Sequence, residues 1–442
     1  MNKTITLKRG LDLRLQGEVA PGSASKPAKT ERIAIVPDDF PGFTPKIVVK
    51  PGQAVAEGES LMHDKVHTDI CLVSPISGIV DEVVRGERRK VLRVTVKPDN
   101  SGRKVADKST DDTKTILMRS GLWAMMRQRP YDIVPSPDHT PVNIFVTAFD
   151  SAPLAPDLAA AVAGRSREIE AGVKALSTLT SGKVYITTRD GENIDVPSQA
   201  QHITATGPHP SGNAGIQAAA IAPVNKGETI WTLDIVTLAR IGALMLNGST
   251  YWSTTVALTG SEVTSPRLVD TVIGTDILDI IGNISDSPSH KRIISGNVLT
   301  GVTVSTDGYL RYPYRQITVI PEGDDVDEFM GWASLSSKKM SESRSFPSKI
   351  FGRKNFAPDA RLQGGRRAMI MSGVYDKVMP MDILPEYLIK AILARDIDKM
   401  EALGIYEVAP EDFALCEYVD PSKLELQKIV REGLDYLRKE LE

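Results

Sequence analysis

The spacing of apolar residues changes character several times along this chain. Near the N-terminus, short β-branched runs recur as "RIAIVPDD", "PKIVVKPG", "DICLVSPISGIVDEVV" and "KVLRVTVKP". Pro-Gly, Glu-Gly and Arg-Gly turns separate them, a pattern that predicts a small β-barrel or sandwich. The polar stretch Ser101 to Lys114 reads as a linker. Beyond it, "NIFVTAFD" and "KVYITTRD" have the composition of buried strands. Between them, "PDLAAAVAGRSREIEAGVKALSTLT" places Ile169, Val173, Leu176 and Leu179 on one helical face. Strand, helix and strand at this spacing predict a βαβ unit and a parallel sheet. From Trp252 to Pro321 the chain returns to short strands, and Phe329 to Gly365 is rich in Ser, Lys and Arg and reads as irregular. In the tail, Leu426, Val430, Leu434 and Leu437 form a helical stripe, so Pro421 to Leu441 is expected to be an amphipathic helix.

A chain of 442 residues exceeds one ordinary core, and length alone suggests roughly three domains. A formal net charge of -3 argues against nucleic acid as a partner, because phosphate binding needs a basic field. The local basic spots "GERRK" and "GRR" read as solvated turns. Only Cys71 and Cys416 carry thiols, which gives no disulfide framework and suits a reducing compartment. Two stretches lack charged side chains, Val196 to Asn225 and Ile241 to Gly260. Pro, Gly and polar residues interrupt the first and "NGST" the second, so neither is expected to span a membrane. Any work at a membrane would then run through a docked partner.

Three stretches invite a chemical reading. "VKPGQAVAEGESLMHDKVHTDICLVSPISGIV" is similar to the lipoyl- and biotinyl-carrier pattern, in which a lysine at a hairpin tip bears a swinging arm. Here Lys65 and Gly78 lie thirteen positions apart, two more than in those carriers, which alters the tip that modifying enzymes read. The reading is a retained carrier-like fold with no arm on Lys65. "HDKVH", His63 to His67, imitates a zinc motif, but that motif needs a helix to bring both histidines to one face. In a hairpin these are exposed histidines. "GPHPSGNAGIQ", Gly207 to Gln217, is a glycine-rich loop before a helix start, a place where backbone N–H groups can meet phosphate. It lacks the lysine of a P-loop and the spacing of a dinucleotide fingerprint. Neither a nucleophile elbow nor a Cys/His pair nor a carboxylate dyad stands out.

Several longer stretches resemble the A subunits of the Na+-translocating NADH:quinone reductases: "LKRGLDLRLQG", "DDFPGFTPKIVVKPGQAVAEGESLMHDK", "SPISGIVDEVVRGERRKVLRVTV", "GLWAMMRQRPYDIVPSPDHTPVNIFVTAFDSAPLAPD" and "GPHPSGNAGIQ". With the tail they cover most of the chain in the family's order. That family is similar in turn to the C subunit of the Rnf complex and to the flavin-bearing subunit of respiratory complex I. The resemblance implies an α/β multidomain protein. Its parts would be a barrel-sandwich (lipoyl/biotinyl-like) domain at 1–102, a Rossmann-like domain at 103–250, a β-grasp ligand-binding-like domain at 251–325, and a linker and helical domain at 326–442.

Comparison with those redox-active relatives turns on what is replaced. Their glycine-rich flavin loop corresponds here to "SGLWAMMRQRP", Ser120 to Pro130, where Trp123, Met125, Met126 and Arg127 occupy the space. Their acidic "NADESEP"-type segment is "TAFDSAP", leaving only Asp150. Their iron–sulfur runs place cysteines where this chain has Met369, Ser372, Tyr375 and Met379, and again Pro410, Phe413, Cys416 and Asp420. One sulfur among eight positions cannot hold a cubane. The resemblance therefore implies a chain that binds no redox cofactor of its own, with FAD, FMN and a 2Fe–2S centre in partner subunits. It would sit peripherally on the cytoplasmic side of the membrane, against the complex's membrane-embedded B subunit. There it would serve in assembly as a scaffold and contribute to a quinone site. The enzyme as a whole would couple NADH oxidation and quinone reduction to sodium export. Trp123, Arg127 and Tyr131 are the expected quinone contacts, since aromatic faces stack on such rings and a guanidinium can donate to a carbonyl. The other side of that expectation is that Trp123 and Tyr131 simply plug the old flavin cavity. A carrier protein modified at Lys65 and a free-standing flavin NADH oxidoreductase are the rival readings.

Overall fold

A computed structural model describes residues 3–106, 111–282, 290–324, 340, 355–362 and 364–441. Its centre is a six-stranded sheet in the order Lys3–Thr6, Gln201–Thr206, Lys183–Arg189, Asn143–Thr147, Ile230–Asp234, Arg127–Arg129. The first five strands run parallel, and Arg127–Arg129 closes the edge antiparallel. Residues "IFV" in the middle strand are buried on both faces, as a parallel strand between two helical layers requires. Ile144 and Val146 face one core together with Ile169, Val173, Leu176 and Leu238. Phe145, pointing the other way, meets Ala218 of helix Ala214–Ile221. The expected βαβ unit is present, with Asn143 in register with Lys183.

The long helix expected between those strands is divided into Leu158–Ala161 and Ser166–Ser177. Gly164, at φ +76°, turns the chain between them. Ile169, Val173 and Leu176 are buried as the periodicity required, and Leu179 packs against the same core.

A second six-stranded sheet follows the order Val302–Val304, Lys291–Ser295, Gln316–Pro321, Ser253–Thr259, Arg267–Val272, Lys26–Pro27. The carrier-like region consists of two small sheets. One pairs Ile33–Ile35, Val91–Pro98, Gly78–Arg85 and Ala54–Val55, and the other Pro45–Ile47, Ser60–Asp64 and Cys71–Val73. Before entering it the chain lends Lys3–Thr6 to the central sheet and Lys26–Pro27 to the second, so the N-terminal segment laces the three together.

The irregular stretch expected at Phe329 to Gly365 lies almost wholly outside the described residues. C-terminal to it, helices Pro385–Ala394, Ile397–Ala402, Ala414–Val419 and Leu426–Leu441 form a separate apolar core. The tail helix begins at Leu426 rather than Pro421, because Asp420 accepts the backbone N–H groups of Ser422 and Leu424 and holds a turn there. Leu426, Val430, Leu434 and Leu437 are all fully buried. Leu434→Ala should lower stability by roughly 2–5 kcal/mol. Leu441→Ala, at a position 49% exposed, should change it by no more than about 0.5 kcal/mol. Urea unfolding curves of the two variants check this contrast.

Candidate functional site

The central sheet reverses direction between Asn143–Thr147 and Ile230–Asp234. From the first strand the chain moves outward to Lys183–Arg189 and Gln201–Thr206, then returns to the opposite side. A sheet wound this way leaves a crevice at the carboxyl ends of the two central strands. A cleft of about 210 Å³ opens at this place, with Thr147 and Asp234 from those ends in its wall. Its other walls come from loop Gly212–Ala214, from residues 296–316 of the second sheet, and from Glu411 of the helical region.

Two ion pairs set the shape of this cleft. Asp234 takes Arg315 on both carboxylate oxygens, at 2.7 and 3.1 Å. Burial opposes its charge, but the guanidinium prevails and holds the carboxyl below its usual range. Arg129, on the edge strand, is 2% exposed and donates to Asp412 at 2.6 Å and to Glu411 at 3.4 Å. A methyl group on Gly215 would collide with the Arg129 guanidinium, so the first turn of helix Ala214–Ile221 rests directly on it. Glu411 remains nearly half exposed inside the cleft, yet crowding by protein atoms and the neighbouring Asp412 carboxylate push its pKa upward. Asp150 is likewise raised by burial.

Loop Gly207–Asn213 is tied down from several sides. Gln217, fully buried, donates to Thr147 Oγ1 at 3.0 Å and to the Ser211 carbonyl at 2.9 Å. The His209 backbone N–H donates to Asp12. Helix Ala214–Ile221 begins after Asn213 without a side-chain cap.

Of the three residues expected to touch a quinone, Arg127 lines the cleft. Its guanidinium donates to the carbonyls of Ala124, Met126 and Asp39. Trp123 lies deeper, fully buried, with Nε1 donating to the Pro135 carbonyl at 2.8 Å and its ring edge-on to Trp231 at 5.0 Å. Tyr131, 8% exposed, packs into the core of the helical region. Its left-handed backbone, at φ +81°, is braced by Arg431, which donates to the carbonyls of Tyr131 and Asp132. The structure therefore brings Arg127 to the cleft and places the two aromatic residues in neighbouring apolar cores. Met125 also faces the cleft, and Met126 is fully buried. Trp123, Met125 and Met126 thus stand buried in this segment, where a loop built of glycines would have no side chains.

The positions that hold cysteines in the redox-active relatives converge in the C-terminal core. Tyr375, Met379, Phe413 and Cys416 are packed into one apolar cluster, with Met369 against it. Asp420 is 1% exposed beside them, and burial together with that carboxylate raises the Tyr375 phenol. Burial also raises the Cys416 thiol, which keeps it protonated and a poor ligand. These residues do not fit an iron–sulfur cluster. Ser372 is exposed and bonds Glu386, and no group of three or more His, Cys, Asp or Glu placed to hold a metal occurs among the described residues.

Lys65 stands exposed at the turn after strand Ser60–Asp64. Asp64 shapes that turn by accepting from Val66 and His67 on one oxygen and from Thr44 on the other. His63 and His67 sit on this strand and turn, as expected of a hairpin, but both are half-buried rather than exposed. His63 donates to the Asp64 carbonyl, and His67 lies 3.9 Å from Asp138. No helix among the described residues is long and apolar enough to cross a membrane.

Fold and cleft together define a multidomain α/β protein with a ligand-sized crevice at the switch point of its main sheet. Three family models match the chain: the NqrA N-terminal barrel-sandwich hybrid domain over residues 5–99, the NqrA second alpha/beta domain over 108–250, and the NQRA C-terminal domain over 255–306. The A subunit of the Na(+)-translocating NADH-quinone reductase of Neisseria meningitidis serogroup B is 34% identical over 451 residues, covering 99% of this chain and 100% of that one. Its namesake from Vibrio anguillarum is 35% identical over 450 residues, with the same coverage. The chain belongs to this NqrA family, the A subunits of the Na(+)-translocating NADH-quinone reductases.

Asp412→Ala should leave the buried Arg129 charge with only the longer Glu411 contact, at a cost of roughly 3–5 kcal/mol. The double variant Arg129→Met, Asp412→Leu removes both charges and should recover most of that loss. Chemical denaturation followed by tryptophan fluorescence distinguishes the two outcomes.

Proposed function

We propose that this chain is a peripheral component of a Na+-translocating NADH:quinone reductase, docked on the cytoplasmic face of its membrane subunits and chiefly on the B subunit. In this reading it is an assembly scaffold, carries no redox cofactor, and lends its cleft to the quinone headgroup. FAD, FMN and the 2Fe–2S centre then belong to partner subunits, and sodium export is a property of the whole complex. The carrier-like, Rossmann-like and β-grasp labels describe the origins of its parts rather than their present chemistry.

The observation that supports this reading is that core side chains fill the positions which the resemblance pairs with the relatives' flavin loop and iron–sulfur runs. Trp123 occupies the segment that corresponds to the flavin loop, and Tyr375, Met379, Phe413 and Cys416 pack the positions of the iron–sulfur runs. A side chain that a folded core depends on cannot be displaced by a prosthetic group without losing that core. The surrounding architecture remains, which suits a role in binding and assembly. Arg127 is the cleft's direct contact to a quinone in this proposal, while Trp123 and Tyr131 act by holding the walls in place.

Affinity purification of this chain from native membranes, with cross-links mapped to it, tests the assignment. The expected result is recovery with the membrane subunits of the reductase, and no flavin, iron or Lys65 adduct on the chain once it is isolated. Recovery as a lone protein that oxidises NADH with its own flavin would replace this reading with a flavoenzyme.

A further inference from the structure

His209 is 3% exposed, yet its Nε2 has no hydrogen-bond partner. Its Nδ1 meets Ser151 Oγ at 3.0 Å, and that oxygen already accepts the Gly212 N–H at 2.7 Å. With the Ser151 hydroxyl donating to Nδ1, the imidazole hydrogen lies on Nε2. Burial pushes the imidazole pKa down to about 4, so the ring is neutral at physiological pH. A buried ring nitrogen without a hydrogen-bond partner is destabilising until something supplies one. His209 lines the cleft, and a molecule bound there can supply it.

Glu411 reaches the same cleft from the helical region. It shares Arg129 with Asp412, and Asp412 holds the shorter contact, 2.6 against 3.4 Å. Two adjacent carboxylates facing one guanidinium favour a proton on the less well paired of them, which is Glu411. Between these groups the wall is apolar and aromatic, with Phe149, Leu158, Leu233 and Tyr314.

We propose that the His209 Nε2–H and the Glu411 carboxyl are the two hydrogen-bond donors that grip the carbonyl oxygens of a quinone headgroup in this cleft. The inference rests on the quinone reading above and names the residues that execute it.

The test is calorimetric titration of the full-length chain with a short-chain, water-soluble ubiquinone. His209→Phe keeps an aromatic ring without the donor, and Glu411→Ala removes the carboxyl. Each should weaken binding by roughly three- to tenfold, the effect of one lost hydrogen bond. Glu411→Gln retains a donor and should restore most of the affinity, and inorganic phosphate should not compete. Unchanged affinity in Glu411→Ala and in folded His209→Phe overturns the donor assignment while leaving the quinone reading intact. Competition by phosphate overturns it in favour of an anion site. Should His209→Phe fail to fold, the Glu411→Ala and Glu411→Gln pair decides alone. Failure of the wild-type chain to bind any quinone removes the quinone reading itself, and this inference with it.

Discussion

A guanidinium taken out of water needs a carboxylate held against it, and the Arg129–Asp412 pair meets that need where the main sheet joins the helical region. Much of the cleft follows from this one contact. Asp412 also accepts the Ala409 backbone N–H, so the short turn that carries Glu411 is anchored at the same atom as Arg129. Arg129 fills the space beside Gly215, which fixes where helix Ala214–Ile221 begins and where the glycine-rich loop ends. A second knot works on the other side. Asp39 of the carrier-like region pairs with Arg311 and accepts the Tyr312 N–H, while Phe40 stacks on the Tyr312 ring at 5.2 Å. The Tyr312 hydroxyl then donates to the Met125 carbonyl. The cleft is thus an interdomain space whose shape is set by buried polar contacts on two sides.

Packing accounts for the side chains that fill the C-terminal helical core. A cavity the size of a metal cluster, lined by apolar helices, would lose contacts on every side. Tyr375, Met379 and Phe413 belong to the cluster that buries Leu388, Val430 and Leu434 and leave no such cavity among them. The polar remainder is handled locally, with Asp420 turned toward the backbone N–H groups of Ser422 and Leu424.

The periodic parts of this fold were legible in the sequence. The stripe Leu426, Val430, Leu434, Leu437 is a buried helix face, and the two apolar runs around Val146 and Ile186 are neighbouring parallel strands. Breaks within a periodic run were harder to read. Gly164 divides one helix and the Asp420 turn delays another, and both effects depend on backbone geometry rather than on the apolar pattern. Pairings distant in sequence left no local trace at all. Nothing in the spacing of Lys3 to Thr6 says that it lies beside Gln201–Thr206. The same holds for the cleft. The resemblance marked the segment of Trp123, Arg127 and Tyr131, and their aromatic and cationic groups made them candidates for quinone contact. Glu411 and His209 come from regions two hundred residues apart, and only the fold shows that both face one space. The loop "GPHPSGNAGIQ" did carry a signal, its glycines suggesting a phosphate cradle although it lacks the lysine of a P-loop and the spacing of a dinucleotide fingerprint.

Electrostatics within the cleft weigh against that phosphate reading. An uncapped helix start offers about half a positive charge, and alone it would favour an anion. The cations in the cleft wall are already committed, however: Arg315 to Asp234, and Arg127 to three backbone carbonyls. Arg129, behind the helix, belongs to Asp412. Against the helix start stand the carboxyl groups of Asp150 and Glu411, both shifted toward their neutral forms, which is what a site short of spare positive charge produces. A dianionic phosphate would have to displace a partner from one of the guanidinium groups or force protons onto both acids. A neutral planar ring with carbonyl oxygens asks for neither, and it matches a wall of Phe149, Leu233 and Tyr314 set among neutral donors.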